Sequence, residues 1–252
     1  MVAVKNKYFP LWIILPIALI IRLIFLRFEY AIGWDEVNYL KLGASGAIYG
    51  FNHVLHPYWS PLYPLAVAIF GKIFSNYETA GRMVSLLSGA LLIVPVYLFT
   101  ARYFTRKIAL ICSLLILFFP ALIESSVSAL TESLYIFLAM SGILLGLPVL
   151  QKKSFGLAFI VGGLFSLAYL TRPEGIGLVM VFGGVTAGAA VYQVIKQRQL
   201  RLFAVLLSAA VSFFIISAPY LYYLHQVTGK WTLSSKGLAN LQGEITVMQN
   251  KN

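Results

Sequence analysis

Charge is scarce in this sequence. Only 11% of its 252 residues are Asp, Glu, Lys or Arg, against about 25% in a soluble globular domain. That deficit excludes a water-soluble fold, because 60% of the chain is hydrophobic and the apolar residues come in long blocks, not in helical stripes. Cysteine is nearly absent. Cys112 stands alone within an apolar block, so no intrachain disulfide can form, and it reads as a small core or lipid-facing residue. No N-x-Ser/Thr sequon occurs. There is no GxxxxGK[ST] loop and no GxGxxG after a strand, so nothing cradles a nucleotide. There is no HExxH, no Cys/His cluster and no GxSxG elbow. No metal site or cofactor is expected.

What is present is a succession of apolar segments. Each must close its backbone hydrogen bonds internally in lipid, so each is expected to be a helix. The expected fold is an all-α polytopic membrane protein of about seven transmembrane helices, at roughly 11–29, 83–102, 108–122, 130–150, 156–171, 175–195 and 202–224. The first block has no small-residue cleavage site and is expected to be a retained helix. The piece 61–75 is too short to span and predicts a helix lying in the interface or re-entering the membrane. It belongs to a long first outer loop, 30–82, rich in Trp, Tyr, Pro and His. Two regions follow: a transmembrane module over 1–224, and a polar tail over 225–252 that reads as the truncated start of a further region.

The net charge of +11 would suggest nucleic acid in a soluble protein. Here the basic residues fall between apolar blocks. Lys5, Lys7, Arg102, Arg106, Lys107, Lys152, Lys153, Lys196, Arg198 and Arg201 occupy short loops that hold no acid. Lys41, Lys72, Arg82, Arg172, Lys230, Lys236 and Lys251 are spread over longer segments, and Arg22 and Arg27 sit in the outer half of the first helix. The positive-inside rule then places the N-terminus in the cytoplasm and the C-terminus outside, in the cell membrane, with no nucleic-acid partner. All eight acids fall on the outer side. Either the longer outer loops simply hold more polar residues, or a polar reaction site lies at that face.

Three local patterns could carry chemistry. Asp35 and Glu36 follow the first helix directly. A carboxylate in a partly dry site can act as a general base, although an acidic pair at a helix N-terminus is also favoured by the dipole alone. Arg172, in the turn TRPEG at 171–175, could bind a phosphate or pair with Glu174 or Glu132. Arg22 either faces an interior cavity or snorkels to the headgroups. A reaction at the outer face has no access to cytoplasmic nucleotides, so its activated donor must already be in the membrane.

In order along the chain, Arg22, the WDExxY of Trp34–Tyr39, HPxxxPLYP at 56–64, Glu78 with Arg82, TESLYIFL at 131–138 and TRPEG at 171–175 resemble the GT-C membrane glycosyltransferases of the dolichyl-phosphate-mannose protein mannosyltransferase type, with which the aminoarabinose transferases are grouped. The resemblance covers residues 20–240. It implies a polyprenyl-phosphate sugar donor, a lipid, glycan or protein acceptor hydroxyl, and inverting transfer on the outer face. Asp35 would be the catalytic base, and Glu36 would support it or hold the acceptor. Arg172, Lys72 and Arg82 would bind the donor phosphate. Tyr39, His56, Tyr63, Glu132 and Glu174 would line the acceptor cleft. Such enzymes usually continue further, so a missing C-terminal half or partner subunit is also expected. The competing readings are a transporter or flippase for a lipid-linked substrate, and a non-catalytic assembly subunit.

Overall fold

The computed structural model describes residues 9–198 and 200–236. Lys5, Lys7, Glu244, Lys251 and the tail 237–252 lie outside the described residues. The described chain is helical: α1 (Phe9–Leu26), α2 (Trp34–Tyr49), a 3-10 turn (Phe51–Val54), α3 (Leu62–Phe74), α4 (Tyr77–Leu91), α5 (Ile93–Tyr103), α6 (Arg106–Phe118), α7 (Pro120–Val127), α8 (Glu132–Lys152), α9 (Phe155–Thr171), α10 (Gly175–Gln197) and α11 (Arg201–Thr228).

Helix starts are set by local side chains. The carboxamide of Asn76 accepts the N–H groups of Glu78 and Thr79, Thr105 accepts that of Ile108, and Ser154 accepts that of Leu157. Each satisfies a donor that the first turn leaves free.

Four helical segments are long and apolar enough to cross a bilayer: Tyr77–Tyr103 (α4 and α5 together), α8, Gly175–Lys196 and α11. A fifth candidate is the pair α6–α7, bent by 55°. The expected single span over 108–122 is therefore broken. Pro120 supplies no N–H to α6 and pushes Phe119 into an extended conformation (φ −72°, ψ 116°). The expected helix at 83–102 starts earlier, at Tyr77, because Asn76 caps it there. Seven spans are reached only by adding the shorter apolar helices α1 and α9. The expected piece 61–75 is observed as α3, and the rest of the outer segment 30–82 is largely helical too.

The interior is built around α9. It packs against α8, α10 and α11, and Ala158, Val161 and Phe165 on it join an apolar cluster with Val149, Ala190, Val205 and Ala209. At Gly162 an added Cβ would lie 2.0 Å from the Ala209 carbonyl oxygen, so glycine sets the close approach of α9 to α11. Outward-facing Trp12, Ile20, Leu115, Val181, Ile195, Leu207 and Ile215 make an exposed apolar belt suited to lipid. Because α8 runs from Glu132 to Lys152, and α10 starts at the Arg172–Glu174 turn and ends beside Arg198, acids and inner-loop bases occupy opposite ends of the bundle.

Candidate functional site

The acid-bearing end of the bundle closes around one small polar pocket. Its position starts with Glu36. In the first turn of α2 this side chain is only 5% exposed. One carboxylate oxygen accepts the Gly33 N–H at 3.1 Å, and the other accepts the Ala129 N–H at 2.8 Å. The second bond ties the start of α2 to the turn between α7 and α8. Asp35, one residue earlier, is thereby left exposed beside Thr131 and Glu132. A single helical step rotates a side chain by about 100°, which is how two adjacent carboxylates acquire different surroundings.

The turn between α9 and α10 brings Arg172 to the same point. Its guanidinium forms an ion pair with Glu132, a second with Glu174 at 3.5 Å, and approaches the Thr131 hydroxyl at 3.4 Å. Burial alone would lower the Arg172 pKa, but the two carboxylates outweigh it and the net shift is upward. Tyr39 stands in the wall, edge-on to Trp59 at 4.9 Å and to Tyr63 at 5.5 Å. Burial pushes its phenol up to about 12, so it remains protonated. Lys236, beyond α11, completes the rim above the rings of Tyr58 and Trp59, at 5.3 and 5.7 Å. The pocket holds about 30 Å³, roughly one water molecule.

Five of the residues expected from sequence thus converge: Asp35, Tyr39, Glu132, Arg172 and Glu174. The others are placed elsewhere. Glu36 is buried behind the wall as a hydrogen-bond bridge. Tyr63 is fully buried in the core, donating to the Gly81 carbonyl at 2.8 Å with Ser85 at the same distance, and so joins α3 to α4. His56 sits beneath the wall, its Nδ1 accepting the N–H groups of Tyr58 and Trp59 at 3.1 and 3.3 Å. Arg82 is buried, paired with Glu78 at 3.0 Å and donating to the carbonyls of Glu29 and Ala31, so it clamps the link between α1 and α2. Lys72 is exposed on the last turn of α3, away from the pocket lining. Arg22 faces the interior, 0% exposed, and its one hydrogen bond is to the Ala18 carbonyl of its own helix.

Sequence reasoning missed Tyr58, Ser60, Thr131, Thr171 and Lys236 as pocket residues. For Lys236 the only signal was its membership of the outer bases. Among the described residues, no group of three His, Cys, Asp or Glu side chains is placed to hold a metal ion.

The sequence and the fold have known counterparts. Residues 56–223 match the family described as dolichyl-phosphate-mannose-protein mannosyltransferase. The chain superposes on the oligosaccharyltransferase of Archaeoglobus fulgidus, whose crystal structure carries an acceptor peptide with the NVT sequon tethered by a disulfide bond. The TM-score is 0.56 and the identity 17%. That match covers 97% of this chain and 38% of the archaeal one, so the chain spans well under half of that protein's length. The comparison with curated proteins returned no match. The helical membrane fold is of the GT-C glycosyltransferase class. Within it, the chain belongs to the dolichyl-phosphate-mannose-protein mannosyltransferase family, since the match spans more than half of its residues.

Proposed function

We propose that the chain transfers a sugar from a polyprenyl-phosphate donor to an acceptor hydroxyl at the outer face of the cell membrane, with inversion at the sugar carbon. Asp35 is the general base. One observation carries this reading: among the described residues Asp35 is the pocket carboxylate without an ion-pair partner, while Glu132 and Glu174 are both engaged by Arg172. The family match supports the donor class, and the grouping of acids at one end of the bundle supports a single reacting face.

In the step itself, Asp35 takes the proton of the acceptor hydroxyl. The acceptor oxygen bonds to the anomeric carbon as the bond from that carbon to the phosphate oxygen breaks. The lipid phosphate departs carrying the electron pair. Tyr39 remains a hydrogen-bond donor in the wall, and Glu132 and Glu174 hold the Arg172 fork toward the pocket. The N-terminus is cytoplasmic and the end of α11 lies outside.

The test is transfer from a polyprenyl-phosphate sugar by the full chain in nanodiscs, with the anomeric configuration of the product read by NMR. Asp35→Asn should slow transfer by about 10²–10⁴-fold, the usual contribution of a positioned base. Unchanged transfer by a folded Asp35→Asn protein would falsify the assignment and favour transport or assembly.

A further inference from the structure

The pocket charges leave a question about the donor. The family resemblance implied Arg172 as a phosphate ligand, yet it already faces two carboxylates, Glu132 and Glu174. With Asp35 on the same lining, the pocket is net negative before Lys236 is counted. A phosphate entering there meets repulsion unless an uncommitted cation receives it. Among the described residues lining the pocket, Lys236 is the cation without an acidic partner. Its ammonium rests over two aromatic rings, a weak hold that a charge-assisted bond to a phosphate oxygen outmatches.

Lys236 lies in the segment 229–236 that follows α11 and is itself the residue of that segment lining the pocket. Gly229 turns the chain at φ 68°. Trp231 stacks on His225 with centroids 4.3 Å apart, Tyr169 donates to the Leu233 carbonyl at 2.6 Å, and the Ser235 hydroxyl donates to the Pro57 carbonyl. Held at these points, Lys236 lines a pocket with room for about one water, so a sugar enters only when lining side chains shift.

We propose, resting on the glycosyltransferase reading above, that Lys236 is the positioning residue for the donor's phosphate. Its ammonium leaves the rings of Tyr58 and Trp59 to bind that phosphate, and it neutralises the charge that grows there as the sugar departs. Arg172, held by Glu132 and Glu174, shapes the pocket and is not the principal phosphate ligand.

The experiment uses the full chain in detergent with farnesyl phosphate and farnesol as probes. Tryptophan fluorescence is the readout, and Trp59→Phe identifies the signal from beneath Lys236. Lys236→Gln should weaken farnesyl phosphate binding about tenfold to a hundredfold, the range of a charge-assisted hydrogen bond, and leave farnesol binding unchanged. Lys236→Arg should retain most of the affinity, and in transfer assays Lys236→Gln should raise the donor KM. Asp35→Asn should bind farnesyl phosphate at least as well as the parent chain. If Lys236→Gln binds as the parent does, or the parent shows no preference for farnesyl phosphate over farnesol, the proposal is overturned. Normal transfer by Asp35→Asn together with lost binding by Lys236→Gln would remove the base assignment and leave this one standing.

Discussion

The pocket of Asp35 and the groove beside Glu29 and Glu124 both carry carboxylates, and they differ in almost everything else. The pocket of Asp35, Glu132 and Glu174 holds about 30 Å³ and has mostly polar walls. The groove between the end of α1 and the bend of α6–α7 holds about 520 Å³. Its walls are Ile21, Phe25, Phe28, Phe118, Pro120, Ile123 and Val127, with Glu29 and Glu124 at the edge. Size alone selects the groove. Chemistry selects the pocket, because Arg172 and Lys236 line it together with Asp35, Glu132 and Glu174. No cation lines the groove. The bend of α6–α7 at Pro120 is enough by geometry to open such a furrow. Converging charges are the better guide to the reaction site than volume.

The sharpest way to break that comparison is to neutralise one carboxylate from each hollow. Asp35→Asn should lower transfer by about 10²–10⁴-fold, whereas Glu124→Gln should leave transfer within a few-fold of the parent chain. Transfer rates in nanodiscs check both. A large loss on Glu124→Gln would move the reaction to the groove.

A second test uses glycines. The pocket needs the α9–α10 turn in place, and α9 is set by its close approach to α11 at Gly162. Gly162→Ala drives a methyl group into the Ala209 backbone, and overpacking of this kind costs about 1–3 kcal/mol. At Gly188, on exposed α10, an added Cβ meets nothing within 4 Å. Gly188→Ala should be neutral or stabilising by up to about 1 kcal/mol, from helix propensity alone. Thermal unfolding in detergent should separate the two variants. Equal melting temperatures would show that the approach of α9 to α11 does not govern stability.

A third, smaller effect is expected at Glu36. Glu36→Gln keeps an acceptor oxygen but loses the charge and one of the bridges to Gly33 and Ala129. The loss should be about 1–2 kcal/mol, the value of a charge-assisted buried hydrogen bond. Transfer should fall less than in Asp35→Asn, because the side chain lies behind the wall. A Glu36→Gln chain with unchanged stability and abolished transfer would make Glu36 the base instead.

Much of this was legible in the sequence. The apolar blocks gave most helices, since in lipid a block of that length has few alternatives. The single-faced distribution of acids left open a reaction site or simply longer polar loops at that face, and Asp35, Tyr39, Glu132, Arg172 and Glu174 do meet there. What stayed hidden were the facts that depend on rotation and on chain return. Asp35 and Glu36 look equivalent in sequence, and only the orientation of α2 sends one to the pocket and the other to Ala129. The resemblance implied Tyr63 and His56 as cleft residues, but Tyr63 bonds the Gly81 carbonyl inside the core and His56 accepts backbone N–H groups. Lys236 enters the pocket because the chain folds back after Gly229, about two hundred residues beyond Asp35, a contact that no periodicity encodes.

The smallest expected effect concerns pH. Burial lowers the His56 pKa from its ordinary value, and the geometry agrees, because Nδ1 accepts two backbone N–H groups and must be unprotonated to do so. A histidine whose folded pKa lies below its unfolded one binds a proton more readily when unfolded. Its stabilising contribution is therefore fully present above the unfolded value of about 6.5 and is lost as pH falls from there toward the folded pKa. Tyr58 in the pocket wall and Trp59 packed behind it are held by those two bonds, so acid should loosen this wall before it touches the apolar groove. His56→Asn keeps a neutral acceptor at every pH. Melting temperatures of the two chains from about pH 8 to about pH 5, the range in which histidine titrates, should diverge on the acid side, with the parent chain falling more steeply. Parallel curves would show that His56 does not change protonation in this window, and would detach this wall from any acid-side loss of stability.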